Sequence, residues 1–255
     1  MQLLPKTFGV LGGALLIMSG ALAGLARAGD AMTPLEPADV KVGGEIGRRI
    51  DVMINNNLLV LNADKDFLAP FQKKDKGGGY IGLGKLIDAT VRFAAYTRDE
   101  KVLALKKHLV QQAIAAQEPD GYLGMMQPAA RMWGMWDIHE MHYVAWGHLS
   151  DYRFFSEKPS LEAARKIADY ILQRWPTMPK NWDAKTGIAT HVAVTGLERT
   201  MVALSQATGD RKYADFCLKD RALAEWDLPI VIGRRDLIQG HIYAYMCRSL
   251  AQLEL

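Results

Sequence analysis

Apolar residues recur at three- and four-residue intervals along most of the chain. Within 42–61 they fall at Ile46, Ile50, Met53, Ile54, Leu58 and Leu61, which predicts a helix with one buried face. The same spacing returns at Leu83, Leu86, Ile87, Val91, Phe93 and Ala94. Asp99 stands where an N-cap belongs, and Val102, Leu103, Leu105, Leu109, Val110 and Ile114 follow it. That run stops before Pro119-Asp120-Gly121, a turn signal. Further helices are predicted over 138–155, 160–175, 192–207, 211–223 and 237–255. Ser160, placed after Pro159, reads as a capped start. Segments 62–80 (with Pro70 and Gly77–Gly79), 125–136, 176–190 and 225–236 are polar or rich in Pro, Gly and Trp, and read as loops. Residues 230–232 alone suggest a short extended piece. No alternating run could build a large sheet, so the fold class is all-α.

The helices come in pairs. Thr97-Arg98-Asp99-Glu100-Lys101 joins one pair, and Thr208-Gly209-Asp210-Arg211-Lys212 joins another with the same T-x-D-x-K pattern. Ser156–Ser160 makes a third short joint between them. Helix, short turn, helix and long loop thus repeat about every 55 residues. Such a repeat gathers the short turns at one end and the long loops at the other, where sites are normally placed. The next short turn falls due near residue ~260, past Leu255. The expectation is therefore an array of hairpins that is incomplete at its C-terminus.

The chain begins with a different kind of segment. Lys6 supplies a positive start, Phe8–Leu25 carries no charge, and Ala26-Arg27-Ala28 offers small residues for cleavage. Residues 1–28 read as an export signal, which implies a periplasmic or extracellular protein and a remaining domain over 29–255. The composition is 49% hydrophobic and 23% charged, with a net charge of +3, and it excludes disordered, collagen-like and disulfide-scaffold classes. Losing Lys6 and Arg27 leaves the mature chain nearly neutral, so no nucleic-acid partner is expected. No later stretch suggests a membrane span, and no stable membrane association is expected after cleavage. Cys217 and Cys247 are the two cysteines; export would permit a bridge, and packing on apolar faces is the alternative.

Candidate chemistry lies in the loops and helix starts. In 136–148 the histidines are His139, His142 and His148. On a helix, Ile138, Met141, Ala145 and Leu149 share a face. His142 and His139 lie near that face, whereas His148 points elsewhere. A three-histidine metal site on this helix is therefore not supported, and His139-Glu140 with His142 is not the H-E-x-x-H spacing. No metal ligands are assigned. The spacing leaves open whether these histidines pack in a core or meet a polar substrate. Asp120 and Tyr122, in Asp120-Gly121-Tyr122-Leu123-Gly124, pair a carboxylate with an aromatic ring, which suits a sugar. Trp133, Trp136, Trp146 and Trp182 add aromatics near the same end, as loop tryptophans also do in ordinary packing. Gly77–Gly79 lacks the Lys-Ser/Thr pair of a phosphate loop.

Several of these pieces together resemble glycoside hydrolase family 127, whose characterised type is a β-L-arabinofuranosidase. They are Val42–Arg49, Gly82-Leu83-Gly84-Lys85, Gln117–Gly124, Trp136–His148 and Gln239-Gly240-His241. The resemblance implies an (α/α)6 toroid of helical hairpins, six in a ring, of which this chain supplies only part. It implies a retaining hydrolase acting on an oligosaccharide or plant-type glycan, with a cysteine nucleophile beside zinc and a separate glutamate as acid/base. Those groups belong to the later barrel, and Cys217 and Cys247 do not match them. No catalytic residue and no cofactor is assigned to this chain. What the resemblance carries over is a sugar pocket at His241, and less closely at His148. The substrate-binding candidates are then His241, His148, Asp120, Tyr122, Trp136 and His142. Two other readings stand beside this one. One is a non-catalytic helical-repeat module that binds a carbohydrate or a protein. The other is a six-hairpin polysaccharide lyase, which the near-neutral charge supports little.

Overall fold

A computed structural model describes residues 35–223 and 242–255. The predicted export signal, the 225–236 loop with its extended piece, and His241 lie outside the described residues. The described chain is all-α. Its main helices are α1 (Gly44–Asn56), α3 (Leu83–Thr97), α4 (Glu100–Ala115), α5 (Asp137–Phe155) and α6 (Lys158–Arg174), followed by α9 (Leu197–Thr208), α10 (Lys212–Lys219) and α11 (Ile242–Glu254). Shorter helices are α2 (Ala69–Lys73), α7 (Trp182–Thr186) and α8 (Thr190–Ala193). No described helix is long and apolar enough to cross a membrane.

Two of the joints share one construction. The Thr97 hydroxyl donates to the Phe93 carbonyl and accepts the Asp99 N–H, while Asp99 caps α4 by accepting from the N–H groups of Lys101 and Val102. At the later joint the Thr208 hydroxyl donates to the Leu204 carbonyl and accepts the Asp210 N–H, and Asp210 accepts from Lys212. The residue between Thr and Asp is left-handed in both, Arg98 at φ 55° and Gly209 at φ 73°. The chain therefore reverses on local hydrogen bonds alone.

The hairpins α3/α4, α5/α6 and α9/α10 pack as pairs. Helices α3, α5, α9 and α11 lie side by side in that order, and α4, α6 and α10 back them. The inner helices run parallel. Gly84 meets Tyr143, and Gly147 meets Ile87. His142 reaches Thr200, and Gln206 reaches Glu254. Tight α3–α5 contact depends on two glycines: a Cβ on Gly84 would lie 2.0 Å from the Tyr143 carbonyl carbon, and one on Gly147 2.9 Å from the Gly84 oxygen. Because α5 is flanked by α3, α6 and α9, it is buried nearly all round. Its core includes Ile138, Met141, Ala145 and Leu149, the face the periodicity marks.

Three expectations change. Residues 64–73 are helical, a π-helical turn followed by α2, with Pro70 in the first turn of α2. The missing N–H of Pro70 is tolerated at that junction. The helix predicted over 192–207 is broken, because Gly196 takes φ 92° between α8 and α9. Ser160 does not cap α6; it lies inside the helix and donates its hydroxyl to Asp151 at 2.6 Å.

Candidate functional site

The inner helices all start at the long-loop end, and their first turns converge. Glu140, in the first turn of α5, reaches across to α3. Its Oε1 accepts the backbone N–H groups of Ile81 and Gly82 at 2.7 and 2.6 Å. Its Oε2 is buried with no hydrogen-bond partner among the described residues. Burial pushes the Glu140 carboxyl up, and the two N–H groups and Lys85 offset only part of that rise.

Rings close around this carboxylate. His139 lies 5.1 Å from Tyr80, 5.4 Å from Trp136 and 4.9 Å from Tyr143, centre to centre. Trp136 sits at the start of α5 with φ 72°, a conformation an L-residue adopts only when its surroundings impose it. The Lys85 ammonium lies over Tyr80 and Tyr143, 4.9 and 4.4 Å from the ring centres. The Tyr143 hydroxyl is 3.1 Å from that of Tyr243, which brings in the start of α11. Gly196 lets α9 approach: a Cβ there would lie 2.9 Å from His142 Cε1 and 3.2 Å from the Tyr143 hydroxyl.

His142 is buried beside these groups, with Nδ1 3.3 Å from the Thr200 hydroxyl and Nε2 without a partner among the described residues. Burial and the neighbouring His139 hold it well below the usual imidazole range, so it is neutral at pH 7. A cleft of about 230 Å³ opens over the cluster, lined by Lys85, Asp88, Tyr143, Gly196, Arg199 and Tyr243 among others. A larger hollow of about 610 Å³ lies between α4 and α6. Its buried groups are already paired, Lys106 with Asp151 at 2.8 Å and Ser160 with Asp151, so it offers little chemistry.

The sequence candidates divide. His142 and Trp136 belong to the ring cluster through His139 and Tyr143, although neither lines the cleft. His148 lies on the same helix but lines neither the cleft nor the hollow beside it. It is fully buried, both ring nitrogens lack partners among the described residues, and burial pulls its pKa down to about 4. Asp120 and Tyr122 are engaged by other residues instead, Asp120 at the surface and Tyr122 in the core. Asp120 accepts the Tyr122 N–H and pairs with Arg174 at 3.0 Å. Tyr122 is 0% exposed, donates its hydroxyl to Asp137 and lies under the Arg131 guanidinium, so no ring face is open to a sugar. Its stacking role is corrected on that ground. His241 is outside the described residues. Trp133, Trp175 and Trp182 pack on one another away from the cluster.

Glu140, Lys85 and Tyr143 were not among the sequence candidates. The one signal for Lys85 was its place at the Gly82–Lys85 helix start. Glu198, also buried, is bound by Arg221 and Arg248. Burial raises its carboxyl, the two arginines outweigh that, and the net shift is downward. It ties α9 and α11 together. Among the described residues no group of three His, Cys, Asp or Glu could hold a metal. Cys217 directs its thiol at the Glu198 carbonyl, and burial pushes that thiol up, away from a thiolate. These residues do not fit the zinc site that the resemblance implies for the later barrel.

Comparison with known proteins agrees with this architecture. The solved structure titled as the GH127 β-arabinofuranosidase BT3674 superposes with a TM-score of 0.55 at 21% identity, covering 71% of this chain and 32% of that one. Ara127N-Se, a GH127 β-L-arabinofuranosidase from Geobacillus stearothermophilus T6, gives a TM-score of 0.51 at 18% identity, covering 69% of this chain and 31% of that one. The chain thus spans about a third of the length of these structures. No curated protein sequence matches it significantly. Residues 62–225, well over half of the chain, match the family model described as β-L-arabinofuranosidase, GH127 catalytic domain. The chain carries the hairpin architecture and the matching sequence of that catalytic domain, and it belongs to the GH127 family.

Proposed function

We propose that the cleft at the starts of α3, α5 and α9 is part of the sugar-binding pocket of a GH127 glycoside hydrolase. The carrying observation is the lining of the cleft, where the Tyr143 and Tyr243 rings meet the polar ends of Lys85, Asp88, Arg199 and Thr200 at the long-loop end of the inner helices. A sugar hydroxyl both donates and accepts, so hydroxyls suit a lining that mixes donors and acceptors in this way. The rings of Tyr143 and Tyr243, which line the cleft, supply apolar faces for the sugar's C–H surface.

In this reading the substrate is a glycan with terminal arabinofuranosyl or related residues, cleaved with retention of configuration. Glu140 neither attacks nor touches the sugar in this reading: its carboxylate is buried and holds the start of α3. The export segment in the sequence supports action on glycans outside the cytoplasm.

Titration with methyl β-L-arabinofuranoside, followed by amide chemical shifts, tests the reading. Shifts should concentrate at Ile81–Lys85, Trp136–Tyr143 and Gly196–Thr200, and Tyr143→Phe should weaken them. Shifts confined to Asp120–Gly124, or absent altogether, would overturn it.

A further inference from the structure

The cleft does not end at the starts of the inner helices. A hollow of about 450 Å³ adjoins it, and Arg92 and Trp146 line both. The cleft is built on the earlier turns, at Lys85, Tyr143 and Gly196. The hollow follows the later turns, with Leu149 and Arg153 on α5 and Ala203, Gln206 and Ala207 on α9. At about 1.5 Å of rise per residue, Tyr143 and Arg153 stand about 15 Å apart along α5. That length is more than one sugar ring fills.

The chemistry of the hollow suits an uncharged, partly apolar ligand. Trp146 is half-buried where the two cavities meet, and the Arg199 guanidinium steadies it 4.8 Å from the ring centre. Leu149, Ala203 and Ala207 add aliphatic surface. The charges beside Trp146 cancel in pairs, Arg92 with Asp88 at 2.9 Å and Arg199 with Glu254 at 3.2 Å. Exposed Arg153 rests beside the Phe154 ring, and no carboxylate lies within ion-pair distance of it among the described residues, so its N–H groups can serve a hydroxyl. An aromatic ring with aliphatic neighbours and a few polar ends is the usual lining of a small-molecule site. Resting on the sugar-pocket reading above, we propose that cleft and hollow are adjacent subsites for an uncharged oligosaccharide of at least two residues, with one ring in the cleft, the next in the hollow and Trp146 between them.

The alternative is a hollow that holds water alone. The two are separated by titrating the protein with methyl β-L-arabinofuranoside and with its three possible β-L-arabinofuranosyl disaccharides, linked through O2, O3 or O5, and following amide shifts. At least one disaccharide is expected to bind about tenfold more tightly than the methyl glycoside, and to add shifts at Leu149–Arg153 and Ala203–Ala207. Ala207→Trp fills the hollow and Arg153→Ala removes its donors. Ala207→Trp should abolish the preference and Arg153→Ala reduce it, with binding of the methyl glycoside unchanged in both. Where Ala207→Trp also disturbs the methyl glycoside, Arg153→Ala decides alone. Equal affinity for all four sugars, or a preference that survives the deciding variant, overturns the second subsite and leaves the sugar pocket standing. If none of the sugars moves the amides at the starts of α3, α5 and α9, both readings fall together.

Discussion

The Oε1 atom of Glu140 lies 2.6 Å from the backbone nitrogen of Gly82, so the first turn of α5 caps the start of α3. Gly82 itself is left-handed, at φ 87°, and the N–H of Ile81 joins the same oxygen at 2.7 Å. One side chain therefore satisfies two N–H groups of a neighbouring helix start. Glu140→Ala is expected to leave both unpaired in a largely buried setting and to cost about 2–4 kcal/mol. Glu140→Gln keeps an acceptor for both and should recover most of the loss. Urea denaturation of the two variants measures the difference. Equal losses would show that the bonds to Ile81 and Gly82 contribute little.

Asp137 provides a pH-dependent contribution. It is fully buried, and burial pushes its carboxyl up to about 7, against the Met132 N–H and the Tyr122 hydroxyl, which favour the charged form. In the unfolded chain an aspartate titrates near ~4. Between those values the folded state holds the extra proton, so this group's contribution falls as pH rises from ~4 to ~7. The change is on the order of a few kcal/mol. The buried Glu140 shifts in the same direction. Asp137→Asn should flatten the stability profile over that window, read as the denaturation midpoint against pH. An unchanged slope would assign the dependence to other groups.

Gly84→Ala places a methyl 2.0 Å from the Tyr143 carbonyl carbon and 2.2 Å from its oxygen. Neither atom can move without shifting α5. A loss of about 3 kcal/mol or more is expected. Gly77→Ala, whose nearest neighbour is the end of the flexible Gln127 side chain at 3.8 Å, should stay within about 0.5 kcal/mol of the parent. Thermal denaturation of both compares them directly, and a mild effect at Gly84 would mean that the helices can slide apart.

Lys106 and Asp151 form an ion pair whose side chains are 8% and 0% exposed. Lys106→Met leaves Asp151 charged and buried with only the Ser160 hydroxyl beside it, and should cost about 3–5 kcal/mol. Adding Asp151→Leu should recover a large part of that loss, since the cost lies mainly in the orphaned charge. Chemical denaturation of the single and double variants completes the cycle. A double variant no better than Lys106→Met would place the value of the pair in packing instead.

The parts of this fold that were legible in the sequence are those fixed by near neighbours. Asp99 capping α4 needs only Lys101 and Val102, and the Thr-x-Asp joints close within a few residues. Hairpins could therefore be read from spacing. Pro70 misled because a rule about local breakers does not foresee a π-to-α junction. The site was less legible for the opposite reason. Glu140 earns its position from Ile81 and Gly82, far away in sequence, and no periodicity marks such a meeting. Tyr122 looked available to a sugar because its neighbours in sequence are turn residues. Tyr170 and Arg131, brought by the fold, cover its ring.

The Thr97–Asp99 and Thr208–Asp210 joints are self-contained, and they stand at the end of the helices opposite the cleft. Each hairpin is therefore an interchangeable part whose hinge makes no demand on the chemistry at the far end. Both joints share the bond from the Asp N–H to the Thr hydroxyl and the bond from the Lys N–H to the Asp carboxylate, and Asp99 adds a further one from Val102. A molecule built this way can rewrite its long loops, and with them what it binds, while the opposite end keeps the helices in step.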